Sequence, residues 1–128
     1  MIVDSDLIIL ASKPVNPDVR AWVVQHPGSI SAITRVEVLG CRDLKDSERM
    51  VLDVILERLI AIPITDPILD EAIRLKQKKK MSLGDSIIAG TAILHGSELA
   101  TRNLKDFQNI PGLSVSDPTR LAGSSDTL

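Results

Sequence analysis

Aromatic side chains are almost missing from this sequence, which has one Trp, one Phe and no Tyr. The core must therefore be aliphatic, and stacking on nucleobases can contribute little to any recognition of nucleic acid. A single cysteine, Cys41, excludes an internal disulfide and a cysteine-rich zinc site. It fits a reducing compartment, so a cytoplasmic address is expected. No apolar run approaches the ~20 residues of a membrane helix, and the first ten residues lack a positive segment or cleavage-site pattern. Neither membrane insertion nor secretion is expected. A net charge of −2 gives no general bias toward nucleic acid, so such a partner would have to be gripped by a local patch.

What is present is a chain of 128 residues, 44% hydrophobic and 25% charged, which is a soluble globular balance. Its length suits one domain that buries roughly two thirds of its unfolded surface. One domain over residues 1–118 is expected, with 119–128, ending in GSSDTL, as a flexible tail.

Short β-rich runs alternate with segments of helical period, predicting an α/β fold with a mostly parallel sheet. The candidate strands are Ile2 to Val3, Ser29 to Ile33, Leu59 to Ile64, Glu98 to Ala100 and Leu113 to Val115. Asn16 before Pro17 and Asp66 before Pro67 pair a helix cap with proline at the first helical position. Val19, Trp22 and Val23 form one apolar stripe, and apolar residues recur at helical spacing from Met50 to Leu59.

In parallel α/β sheets the ligand crevice lies beyond the carboxyl ends of the strands. Acids that follow strands are therefore the candidates: Asp4 and Asp6 in MIVDSDLIIL, Glu37 in ITRVEVLG, and Asp106 in TRNLKDF. A further acid, Asp85, opens the apolar helix of MSLGDSIIAGTAIL. Helix capping is the plain alternative for each, since Thr34 with Glu37, Ser82 with Asp85 and Asn103 with Asp106 have capping-box spacing.

Taken together, these acids would converge on one sheet edge, where like charges raise one another's pKa unless a cation neutralises them. Oxygen ligands with no nearby Cys or His select Mg²⁺ or Mn²⁺, which suits phosphodiester hydrolysis by metal-activated water. Ser5 and Thr101 supply hydroxyls that can orient ligands or phosphate.

These stretches, in this order and over nearly the whole chain, resemble the PIN-domain ribonucleases, in particular the VapC-type toxins of toxin–antitoxin pairs. The resemblance implies a three-layer α/β/α fold and Mg²⁺- or Mn²⁺-dependent endonucleolytic cleavage of RNA. It also implies a homodimer and a cognate VapB-type antitoxin. Asp4, Glu37 and Asp85 match the family's three core metal-binding acids, and Asp106 its more variable fourth. Thr101 and Asn103 match the polar pair after the fourth strand. Asp6 departs from the pattern, because many relatives have Asn there; a place near the metal and a helix-capping role both stay open. Ser5 stands where Thr is commoner and keeps the hydroxyl.

The run from Arg74 to Lys80 admits two readings: contacts to RNA phosphates through Lys76, Lys78, Lys79 and Lys80, or a solvated helix end. Arg35 and Arg102 could touch RNA or pair with the carboxylates. His26 and His95 sit at expected helix ends, and Cys41 and Trp22 read chiefly as packing residues. Two other functional classes compete with the nuclease. One is a receiver-like phosphoacceptor domain, against which the absence of a lysine after the last strand weighs. The other is a PIN-like binding module without catalysis.

Overall fold

The computed structural model describes residues 1–120. Its elements are β1 (Ile2–Val3), α1 (Ser5–Ser12), α2 (Pro17–Gln25), β2 (Ser29–Ser31), α3 (Ala32–Leu39), α4 (Asp46–Glu57), β3 (Ile60–Ile62), α5 (Asp66–Lys78), α6 (Leu83–Leu94), β4 (Leu99–Ala100), α7 (Leu104–Phe107) and β5 (Val115–Ser116). Among the described residues the strands form one all-parallel sheet in the order β3-β2-β1-β4-β5.

Alternation along β1 makes the fold three-layered. Side chains of successive strand residues point to opposite faces, and the register pairs Ile2 with Leu99 and Val3 with Ala100. Ile2 and Leu99 pack with Leu75, Ile88, Ala92 and Phe107 from α5, α6 and α7. Val3 and Ala100 pack with Leu7, Ile8, Val38, Leu52 and Ile55 from α1, α3 and α4. Both faces are covered, which is the usual condition of a parallel sheet. Among the described residues no helix is long and apolar enough to cross a membrane.

Several boundaries differ from the expected ones for local reasons. β2 stops at Ser31, because the Ser31 hydroxyl accepts from Ile33 N at 3.2 Å and starts α3 there. Thr34 and Glu37 are therefore inside α3 and do not cap it. Thr65, rather than Asp66, caps α5, its hydroxyl accepting from Ile68 N at 3.5 Å. α4 begins at Asp46, well before Met50, where Glu48 Oε1 accepts from Lys45 N at 2.9 Å. That polar first turn carries no apolar period. β5 starts at Val115, beyond a turn in which Gly112 has φ 83° and Leu113 N bonds Ile110 O. Residues 118–120 are helical; the expected flexible tail falls largely on 121–128, outside the described residues.

The strand order fixes the location of any ligand crevice. From β1 the chain steps to β2 and β3 on one side, then returns to β4 and β5 on the other. The switch point is thus at β1, and beyond its carboxyl end, between α1 and the segments that follow β2 and β4, is where a parallel sheet of this order places a ligand.

Candidate active site

Asp4 is the first residue after β1 and the N-cap of α1. Its Oδ1 accepts from Ser5 N at 2.8 Å, and its Oδ2 accepts from Thr101 Oγ1 at 2.7 Å, at the end of β4. The cap reading of this acid is correct as far as it goes, and the cap leaves its second oxygen to Thr101 at the switch point. Asp4 is only 5% exposed. Burial, then the charge of Asp6 and more weakly that of Asp85, push its pKa up to about 7, against the opposing hydrogen bonds from Thr101 and Ser5.

The other acids arrive by different routes. Glu37, on the second turn of α3, accepts from Ser5 Oγ at 2.6 Å, and the same hydroxyl lies 3.2 Å from the buried Thr34 Oγ1. Asp85 is the third residue of α6, its backbone N–H donating to Ser82 Oγ at 3.1 Å. Here the cap and the acid coexist: the serine caps, so the aspartate side chain is free of that task. Burial raises the pKa of Asp85, the charges of Asp106, Glu37 and Asp6 add to this, and Ser82 opposes it. Asp106, on α7, accepts from Asn103 Nδ2 at 2.6 Å, and Asn103 N donates to Thr101 Oγ1 at 2.9 Å. A polar chain thus links Asp106 back to Asp4.

Asp6 stands apart from the others. Its Oδ2 accepts from Arg102 N at 3.2 Å, while its Oδ1 is buried with no hydrogen-bond partner. Burial raises its pKa; the backbone N–H groups of Leu7 and Arg102 and the Arg102 charge hold it back, and Asp117 pushes it up. Arg102 thus meets this carboxylate through its backbone N–H and favours its ionised form by its charge, without an ion pair among the described contacts.

The donor set fits a hard divalent cation in kind. The charges of Asp6 and Asp85 act on Asp4, those of Asp106, Glu37 and Asp6 act on Asp85, and Asp6 carries an orphaned buried carboxylate oxygen. Among the described residues no three such groups already stand at ligand spacing. Hydrogen bonds to Ser5, Thr101 and Asn103 instead hold the acids separately. Mg²⁺ is suited to such a site, since it binds through one or two carboxylates and keeps several waters.

The basic residues are more dispersed. Lys76 Nζ donates to Met81 O at 2.8 Å and Lys79 Nζ to Gln108 O at 3.0 Å, tying the end of α5 to the segments before α6 and after α7. Lys78 and Lys80 are exposed. Arg35 lines a pocket of about 420 Å³ with Asp53, Glu57 and apolar residues of α3, α4 and the β3 edge, and that lining contains none of the five acids. His26 and His95 cap α2 and α6, and Trp22 packs against the core while stacking on His26.

Sequence reasoning missed three neighbours of the site: Thr34, Asp117 and Gly84. Asp117 precedes a proline and binds the Thr119 N–H at 2.9 Å, a readable cap signal. Gly84 had no signal, because what it faces is on another element.

A family model described as PIN domain matches residues 1–113. Over 40 residues, 31% of this chain, the sequence is 50% identical to the Rickettsia felis protein named Ribonuclease VapC1; that stretch spans 30% of the curated relative's length. The structure superposes on one described as a toxin–antitoxin complex from Klebsiella pneumoniae with a TM-score of 0.70 and 34% identity, covering 88% of this chain and 93% of that one. FitAcB from Neisseria gonorrhoeae gives a TM-score of 0.73 at 25% identity, covering 92% and 97%. With that family match spanning residues 1–113, the chain belongs to the PIN domain family.

Proposed function

We propose that this protein is a metal-dependent endoribonuclease serving as the VapC-type toxin of a toxin–antitoxin pair. The observation that carries this reading is Asp4, buried at the switch point, held by Thr101 and burdened by the charges of Asp6 and Asp85. A buried carboxylate with like-charged neighbours costs stability unless a cation compensates it. Asp4, Asp85, Glu37 and Asp106 would hold Mg²⁺ or Mn²⁺, which supplies an activated water and polarises the phosphoryl oxygen.

The chain's own residues prepare that chemistry. Thr101 and the Ser5 N–H fix both oxygens of Asp4, so its orientation is set before substrate arrives. Ser5 Oγ orients Glu37, and Asn103 turns Asp106 toward the same edge. Lys78 and Lys80, exposed at the end of α5, are available to the phosphate backbone of RNA. Likeness to the Klebsiella pneumoniae toxin–antitoxin complex supports the toxin role and an antitoxin partner; a VapB-type antitoxin, a homodimer and a cytoplasmic address are part of the same proposal.

The receiver-like alternative predicts the strand order 2-1-3-4-5, whereas β1 here lies between β2 and β4. A PIN-like module without catalysis would bind no divalent cation in a calorimetric titration. The deciding experiment is RNA cleavage with Mg²⁺ or Mn²⁺ by the wild type and by Asp85→Asn. Cleavage by the wild type alone is expected; equal activity in both overturns the reading.

A further inference from the structure

Gly84 is buried in the first turn of α6, next to Asp85. Its backbone is not in the left-handed region, which among the described glycines is occupied by Gly96 and Gly112. Nothing in its own conformation therefore demands glycine, and alanine is the better helix former. The obstacle to a side chain is a single neighbour. A Cβ built on Gly84 would meet Glu37 Oε2 well inside van der Waals contact, with Glu37 Cδ at 3.1 Å and Oε1 at 3.5 Å; these three are its nearest neighbours.

The other oxygen of that carboxylate is engaged as well. Ser5 Oγ donates to Glu37 Oε1 at 2.6 Å. The carboxylate is thus confined between a hydroxyl on α1 and the bare Cα of Gly84, beside the positive end of α6. Because Glu37 is the exposed end of a flexible side chain, a methyl group at 84 would push it aside rather than disrupt the fold.

We propose that Gly84 is a positioning residue: its missing side chain gives the Glu37 carboxylate room beside the α6 N-terminus, where Ser5 holds it in reach of the cation site. This rests on the nuclease reading above. It also assigns glycine at this position to function and not to stability.

The test is Gly84→Ala, alone and in a Glu37→Ala background. In the metal-free protein the melting temperature should stay unchanged or rise, while the ¹³C resonance of the Glu37 carboxyl carbon moves. Mn²⁺ affinity by calorimetry and kcat for RNA cleavage should each fall roughly 10- to 100-fold, the scale of a misplaced reacting group, with KM for RNA little changed. In the Glu37→Ala background the same substitution should add no further loss, since the group it displaces is gone. An unmoved Glu37 resonance with wild-type Mn²⁺ affinity overturns the proposal, as does an equal loss in both backgrounds. Should wild-type protein neither bind Mn²⁺ nor cleave RNA, the nuclease reading falls, and the Glu37 resonance alone decides whether Gly84 places that carboxylate.

Discussion

Thr101 Oγ1 donates to Asp4 Oδ2 at 2.7 Å, joining two side chains separated by 97 positions in the sequence. Both are buried, Thr101 completely. The bond favours the ionised form of Asp4, so Thr101→Val, which keeps the shape and removes the donor, should move the acidic limb of the pH–activity profile upward. A loss of about 10- to 100-fold in kcat/KM near neutral pH is expected, the range for a group that orients a ligand. A profile with the wild-type limb would show that the hydroxyl does not tune Asp4.

Asp4 also sets a pH dependence of stability. Its pKa in the fold, about 7, lies above the ordinary carboxylate value of about 3.8. The folded state therefore binds the proton more tightly. Its contribution is complete below about pH 4 and is lost as pH rises through about 7. Metal-free Asp4→Asn should melt above the wild type at pH 8, by the equivalent of roughly 2–4 kcal/mol, and the gap should close at pH 4. The same variant should not cleave RNA. Thermal melts in chelator at both pH values check the first half.

Asp6→Asn should behave differently. One Asp6 oxygen accepts from Arg102 N and the other has no partner, so an amide oxygen keeps the bond that exists. Cleavage should stay within about fivefold of wild type, a barrier change of about 1 kcal/mol, while metal-free stability at neutral pH rises because a buried charge is removed. A hundredfold loss of kcat would place Asp6 among the groups that hold the cation.

Divalent metal should stabilise the fold more at high pH than at low pH. Asp4 has a pKa pushed up to about 7, so at pH 5 its bound proton competes with the cation and at pH 8 it does not; burial raises Asp6 and Asp85 in the same direction. Mn²⁺ at about 100 times its Kd adds about 2.7 kcal/mol of stability. The melting shift should be larger at pH 8 than at pH 5 and should vanish in chelator; equal shifts at both pH values would argue against carboxylate ligation.

The two-residue run of Ile2 and Val3 was readable as a strand because it is β-rich, breaks at Asp4 and leads directly into helical period. The acids after it were readable because strand, polar break and helix follow in a few residues. Less legible was the part each acid plays. Asp85 and Ser82 have capping-box spacing, yet the serine alone caps the backbone. Thr34 and Glu37 have the same spacing, yet the helix begins earlier, at the Ser31 cap. A spacing rule cannot tell these cases apart, since the start of each helix depends on where the preceding strand leaves the sheet.

The sequence by itself determined the aliphatic core, the alternation of strand and helix, and the set of acids available for chemistry. Those are consequences of local periodicity and residue type. The tertiary structure alone decided which acids meet. Parallel pairing of β1 with β2 and β4 brings Asp4, Ser5 and Thr101 to one edge and carries Glu37 to the N-terminus of α6. Burial and mutual repulsion then raise the pKa of Asp4, an effect of desolvation and of charges far apart in the chain, which no local pattern encodes.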